Sequence, residues 1–310
     1  MTTLNEKNLR GVWPVMLTPF TDRGEVDWPA LAALIRWYED AGVDGLFAVC
    51  LSSEMFHLSL RERLEIARFT KDRATVPVIA SGHVSSGPDD QLAELRSMAQ
   101  TGVDAVILVA NRLAGESDGP DVWAGNLRTL LDGLDSRVPL GFYECPHPYK
   151  RLLSLDELAA CAGTGRFLFL KDTCCDLKLI RQRIAALGES PMGLYNANIT
   201  TLLDSLRAGA AGFSGVMANF YPGLFVWLCR NWQREPEKAG LLQALLTVCS
   251  LFERQLYPVN AKAHLRARGL PISLYTRSRD HRLMSPTILS EVEQMDRLVR
   301  RVAKDLGIEA

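Results

Sequence analysis

Lys171 closes the run Phe167-Leu168-Phe169-Leu170 and is followed at once by Asp172-Thr173-Cys174-Cys175-Asp176. Four consecutive apolar residues have the profile of a strand buried on both faces. An ammonium at the end of such a strand must reach water or give up its proton. Desolvation lowers a lysine's pKa, and the neutral amine can attack a ketone to form a Schiff base. A lysine that snorkels from a strand end into solvent fits the same segment, so the run alone leaves both roles open. Tyr143 ends a second apolar run, Leu140-Gly141-Phe142, and offers a phenol able to shuttle a proton.

The elements that must position these two groups alternate along the chain. Candidate strands are Gly11–Leu17, Gly45–Cys50, Val76–Ser81, Ala105–Val109, Leu140–Glu144, Phe167–Lys171, Met192–Asn196 and Gly212–Val216. Helical patterns lie near 27–41, 59–73, 88–101, 121–134, 154–162, 176–187 and 199–208. Ser59 and Ser154 each stand three residues before a glutamate, the spacing of a capping box. Ala41-Gly-Val-Asp-Gly45, Thr101-Gly-Val-Asp-Ala105 and Ala208-Gly-Ala-Ala-Gly212 repeat one form, a glycine-closed helix end leading directly into a strand. Eight βα units in roughly 220 residues fit a (β/α)8 barrel, which typically takes ~250. No Gly-x-Gly-x-x-Gly follows the first strand, which weighs against a doubly wound open sheet. The fold class expected is therefore α/β, a (β/α)8 TIM barrel over residues 1–232 with an all-helical C-terminal extension over 233–310. That extension reads as helices at Pro236–Phe252, Tyr257–Arg268 and Pro286–Leu306, without catalytic features of its own. An apolar stripe of Leu289, Val292, Met295, Leu298, Val299 and Val302 supplies its packing surface.

Composition narrows the function. With 47% hydrophobic and 23% charged residues and a net charge of −1, the chain has no electrostatic footprint for nucleic acid or an anionic membrane. No apolar run is long enough to span a bilayer, and the start, Met1 to Arg10, has no signal-peptide core. Seven cysteines without a Cys-x-x-Cys argue against a disulfide framework or a structural zinc site, and point to a reducing cytoplasm.

In a barrel the site is built at the C-terminal ends of the strands. Those ends read Thr18-Pro19-Phe20, Ser52-Ser53-Glu54, Ser81-Gly82-His83, Asn111-Arg112, Tyr143-Glu144, Lys171-Asp172, Asn196-Ala197-Asn198 and Ser214-Gly215. They gather an amine nucleophile, a phenol, serines, and backbone N–H groups able to hold a carboxylate. Thr18, Ser52, Ser53, Ser214 and Gly215 are the candidate substrate-binding residues. His83, Arg112 and His147 are candidates for distal substrate contacts, with Lys150 and Arg151 as further cations for a second carboxylate. His57 is a further possible donor, though loop histidines are commonly solvated or packed. Glu54 reads as structural, fixing the strand-end geometry. Cys174 and Cys175 read as buried small hydrophobes.

The motifs Val15-Met-Leu-Thr-Pro-Phe20, Cys50-Leu-Ser-Ser-Glu-Met-Phe-His-Leu-Ser59, Phe142-Tyr-Glu-Cys-Pro146, Leu170-Lys-Asp-Thr173 and Gly212-Phe-Ser-Gly-Val-Met-Ala-Asn219 together resemble the dihydrodipicolinate synthase/N-acetylneuraminate lyase family of class I pyruvate-dependent aldolases and dehydratases. The resemblance runs over essentially the whole chain. It implies a Schiff base between Lys171 and C2 of a 2-keto acid, with Tyr143 passing protons during carbinolamine collapse and bond cleavage. It also implies that Ser52 gives its hydroxyl, and Ser53 its N–H, to the keto acid's carboxylate. A protonated imine withdraws electrons from C3, so neither metal nor cofactor is called for. A homo-oligomer, commonly a tetramer, follows from the same resemblance.

The departures restrict the substrate. Leu51 replaces a threonine that relays protons with the tyrosine in the synthase and lyase. Pro148 stands where the synthase has an arginine for its second substrate's carboxylate, and Arg112-Leu113 replaces a tyrosine pair that includes a relay residue. The expected activity is thus a carbon–carbon or carbon–oxygen lyase acting on a 2-keto-3-deoxy sugar acid or a related 2-keto acid. The alternatives are dihydrodipicolinate synthesis from pyruvate and aspartate semialdehyde, and a regulatory barrel that binds keto acids without turnover.

Overall fold

The computed structural model describes residues 9–308, so the N-terminal stretch read above for a signal core lies, up to residue 8, outside the described residues. Eight parallel strands form the barrel: β1 (Gly11–Val12), β2 (Leu46–Ala48), β3 (Val78–Ser81), β4 (Ala105–Val109), β5 (Leu140–Tyr143), β6 (Phe167–Asp172), β7 (Gly193–Asn196) and β8 (Gly212–Phe213). They are ordered β1-β8-β7-β6-β5-β4-β3-β2. A bridge between Val15 and Phe47 closes the ring, with Phe47 N–H donating to the Pro14 carbonyl at 3.0 Å and Met16 N–H to the Phe47 carbonyl at 2.9 Å. Helices α1 (Trp28–Asp40), α2 (Leu60–Arg73), α3 (Pro88–Ala99), α4 (Pro120–Gly133), α5 (Leu155–Gly163), α6 (Leu177–Leu187), α7 (Leu202–Arg207) and α8 (Pro222–Asn231) alternate with the strands. Both capping boxes form, Ser59 at α2 and Ser154 at α5. Among the described residues no helix is long and apolar enough to cross a membrane.

The outer strands are shorter than the sequence pattern predicts. β1 stops at Val12 because Pro14 has no N–H to give the ladder, and β8 gives way at Val216–Asn219 to a tight helical turn. Gly212 has a steric reason. A Cβ there would stand 1.8 Å from the Gly11 carbonyl oxygen, so only glycine lets β8 approach β1. The sequence pattern also missed α8, whose proline start follows the turn after β8.

Three helices follow the barrel: α9 (Pro236–Cys249), α10 (Val259–Ala267) and α11 (Pro286–Asp305). The predicted continuous helix to Phe252 breaks into a 3-10 turn at Ser250–Arg254. α10 begins after Pro258 rather than at Tyr257. On α11 the stripe is narrower than expected. Val292, Met295 and Val299 are buried, whereas Leu298 is turned to solvent at 53% exposure, off the face shared by the other three.

Side-chain alternation on β5 and β6 sorts the chemistry from its support. Tyr143 pairs in register with Lys171, and the next residues, Glu144 and Asp172, point to the other face of the sheet. There a single fully buried guanidinium, Arg183 of α6, binds both carboxylates: Nη1 reaches Glu144 at 2.9 Å and also Asp172, while Nη2 donates to the Leu153 carbonyl at 2.8 Å. Burial pushes the Glu144 carboxyl up and Arg183 pulls it back. Removing one partner from a buried ion network leaves uncompensated charge and costs about 3–5 kcal/mol. Arg183→Met is therefore expected to lower unfolding stability by that order in urea titration at pH 7, and a loss below about 1 kcal/mol would contradict the clamp.

Candidate active site

The inner faces of β2, β6 and β7, with Trp13 just after β1, build an aromatic floor. Phe169 stacks on Tyr195 with ring centres 4.0 Å apart, and Trp13 and Phe47 pack edge-on against Phe169 at 5.5 and 6.1 Å. Two residues along β6 from Phe169, Lys171 emerges above this floor. It is 5% exposed, with Nζ 4.4 Å from the centre of the Tyr143 ring. Burial pulls its pKa below the ordinary lysine value, opposed by the neighbouring Cys50 and Cys145 thiols. Among the described residues no hydrogen bond or ion pair holds this amine. The other buried lysine, Lys262, is treated differently: it faces Glu54 at 3.5 Å and donates to the Tyr275 carbonyl at 2.6 Å. Tyr143 is 3% exposed and packs edge-on against Phe47 at 5.7 Å; burial raises its phenol well above the usual value, so it stays protonated.

Above the two lies a cavity of about 620 Å³ whose lining includes Lys171, Tyr143, Ser52, Gly215, His57 and His147. Gly215 admits no side chain, since a Cβ would meet the Phe213 ring at 2.3 Å and the Ala197 carbonyl at 2.7 Å. Asn111, at the end of β4, shapes the loop carrying His147 by donating to the carbonyls of Cys145 at 2.8 Å and His147 at 3.0 Å.

Several predicted contacts lie elsewhere. Thr18 is fully buried and donates to the Ser53 carbonyl at 2.8 Å. Ser53 spends its N–H on the Cys50 carbonyl at 3.0 Å and its hydroxyl on the Met16 carbonyl at 2.6 Å, so the loop's own turn takes up the N–H expected for substrate. Ser214 donates to the Trp13 carbonyl at 2.9 Å beneath the cavity. His83 is fully buried, accepts from Val109 N–H at 3.0 Å, and is pushed down to about 3 by burial, so it is a neutral strand-pairing group outside the lining. Arg112 turns away to the Ser85 carbonyl at 3.4 Å, and Arg151 pairs with Glu157 at 2.8 Å. Lys150 alone of the proposed cations lines the cavity, with its amine on the Thr173 carbonyl. Cys174 and Cys175 are not buried as expected. Asp172 accepts from Cys174 N–H at 3.0 Å, and the turn leaves Cys174 half-buried and Cys175 exposed in the cavity wall.

The C-terminal extension, read as lacking catalytic features, supplies part of the wall: Glu253, Tyr257, Ser278 and Arg279. Buried Glu54 anchors it, accepting from the N–H groups of Arg277 and Ser278, both at 2.7 Å, from a left-handed backbone at φ 62°. Tyr257 accepts from Asn219 at 2.9 Å and lies beside Ser52. The one sequence signal for this wall was an acidic residue set in the run Leu251-Phe-Glu-Arg-Gln-Leu-Tyr-Pro258, where helical periodicity fails before a proline.

This geometry has relatives. The model of the dihydrodipicolinate synthetase family matches residues 8–119. An N-acetylneuraminate lyase of Citrobacter koseri is 30% identical over 217 residues, covering 69% of this chain and 70% of the lyase. The chain belongs to the dihydrodipicolinate synthase/N-acetylneuraminate lyase family. Within that family, a 4-hydroxy-tetrahydrodipicolinate synthase of Haloarcula marismortui is 29% identical over 217 residues, covering 69% of each chain. The fold matches that of a prophage protein of the dihydrodipicolinic acid synthase family from E. coli K12, solved in complex with pyruvate. Its TM-score is 0.83 at 22% identity, with 94% of this chain and 98% of that one covered. Members of the family are class I lyases that form a lysine Schiff base, and this chain is a lyase of that class.

Proposed function

We propose that the chain acts on a 2-keto-3-deoxy sugar acid, with Lys171 forming the imine at C2 and Tyr143 passing protons at the C2 oxygen. The observation that carries this reading is the buried, unpaired amine of Lys171 against the Tyr143 ring in a cavity of about 620 Å³. An amine with lowered pKa and no carboxylate partner is available as a nucleophile, and a phenol with raised pKa is a proton donor to the hydroxyl leaving the carbinolamine. The E. coli K12 protein of the same fold holds pyruvate, the parent 2-keto acid. The polar wall of Ser52, His57, His147, Asn198 and Ser278 suits a hydroxylated chain beyond C3.

One observation favours the synthase alternative: Lys150 lines the cavity and could meet a second carboxylate in place of the arginine lost at Pro148. Its amine is already engaged by Thr173, and an ammonium lacks the bidentate geometry of a guanidinium. In parallel assays, cleavage or dehydration of keto-deoxy acids is expected to exceed condensation of pyruvate with aspartate semialdehyde. The reverse ranking would establish the synthase.

Borohydride added with pyruvate is expected to trap a reduced adduct on the peptide containing Lys171, and Lys171→Ala to abolish it; an adduct at another lysine would falsify the assignment. Tyr143→Phe is expected to lower kcat by about 10²–10⁴, the scale of general acid–base catalysis, while the imine still forms slowly. Near-native turnover in that variant would remove the phenol from the mechanism.

A further inference from the structure

The departures from the family pattern leave the proton path incomplete. Leu51 has no proton to exchange, and Leu113 is fully buried in the core. Tyr143 serves as a donor, but a phenol whose pKa burial has raised is a poor base at neutral pH. Dehydration beside the imine requires a group that removes the proton from C3.

The C-terminal extension brings one. The turn Ser250–Arg254 packs on the turn Val216–Asn219 that follows β8, and this contact sets Glu253 in the wall of the cavity that holds Lys171. Other acids around the site are tied down: Glu54 by backbone N–H groups, and Glu144 and Asp172 by Arg183. Among the described residues, Glu253 has no hydrogen bond or ion pair. It is half-buried, and burial lifts its pKa to about 7, with Lys171 the foremost of the opposing charges and Arg254 next. Glu253 and Lys171 feel each other's charge without forming an ion pair, and both line the one cavity of about 620 Å³.

We propose that Glu253 is a further catalytic residue, the general base and acid that moves the proton at C3 of the imine on Lys171. The proposal rests on the reading of Lys171 as the Schiff-base lysine. The carboxylate takes the C3 proton; the C–H pair becomes the C2=C3 bond, and the C2=N pair moves onto nitrogen. The products of this step are an enamine and a neutral carboxylic acid. Where the substrate carries a hydroxyl at C4, the nitrogen pair re-forms C2=N and the C2=C3 pair becomes C3=C4. The C4 hydroxyl departs with the proton held by Glu253, as water. The carboxylate is regenerated, and water then hydrolyses the imine to free Lys171. The titratable and charged groups that share the cavity with this carboxyl are Lys171 of β6, Tyr143 of β5, Tyr257 of its own segment, and Glu54, His57, His147, Lys150, Cys175 and Arg279 around it, with Arg254 acting on it from the adjacent position.

Pyruvate in D₂O tests the step without knowledge of the natural substrate. The wild-type enzyme is expected to exchange pyruvate methyl protons for deuterium, followed by proton NMR, at a rate that declines as pH falls through about 7, where the base becomes protonated. Glu253→Gln is expected to slow exchange at pH 8 by about 100-fold or more, while borohydride still traps pyruvate on Lys171. Glu253→Asp should retain part of the exchange. Wild-type exchange rates and an unchanged pH profile in the Gln variant would overturn the proposal. So would loss of the trapped adduct together with exchange in that variant, since the residue would then shape the imine site rather than move the C3 proton. A wild-type enzyme that traps no adduct would instead sink the reading of Lys171.

Discussion

One guanidinium holds the two strands on which the site depends. Tyr143 and Lys171 lie side by side on β5 and β6, and the residue after each is an acid on the opposite face. Arg183 grips both acids from outside the barrel. Because strand side chains alternate, fixing Glu144 and Asp172 fixes the direction of their neighbours. The clamp also organises the loops beyond. Glu144 accepts from Leu153 N–H at 2.8 Å and Thr173 N–H at 3.2 Å, while Asp172 accepts from Cys174 N–H. Two carboxylates against one guanidinium make an expensive arrangement to bury, and an apolar replacement of the whole network could be as stable. What the network adds is register: a slip of one residue in β6 would turn Lys171 outward and set Asp172 over the aromatic floor.

A second buried ionic contact does comparable work for the roof. Glu54 leaves the β2 loop through a left-handed backbone conformation and reaches the N–H groups of Arg277 and Ser278, while Lys262 faces it from α10. Arg277 then returns to the barrel through Glu62 at 2.6 Å and the His57 carbonyl at 2.9 Å. These ties hold the segment that carries Ser278 and Arg279 against the strand ends, beside the turn that carries Glu253. The extension is part of the cavity wall.

The barrel was legible because its signals are local. Runs such as Phe167–Lys171, glycine-closed helix ends and two capping boxes each predict their own element, and strands read near their observed bounds wherever both neighbours pair regularly. Strand ends then gave Lys171, Tyr143 and Ser52 as cavity residues. What failed was direction and long-range contact. Thr18, Ser53, Ser214 and His83 stand at strand ends, but their polar atoms satisfy backbone groups below or beside the cavity. A strand-end position does not say which way a short hydroxyl will turn. Glu253 and Tyr257 were missed because their placement depends on packing against a turn about 35 residues earlier, and no periodicity encodes such a contact.

The two buried lysines show how the fold separates structure from chemistry. Lys262 is given a carboxylate and a carbonyl; its pKa falls to about 8, chiefly through burial, with Glu54 opposing. Lys171 is given aromatic faces and thiols, with its carboxylate neighbour Asp172 turned to the far side of the sheet and spent on Arg183. Had Asp172 faced inward, an ion pair would have held the amine protonated and unreactive. The Arg183 clamp therefore does more than fix geometry. It removes from the cavity the negative charges that β5 and β6 carry nearest to Lys171, leaving a lysine whose cost of burial is relieved most readily by losing its proton.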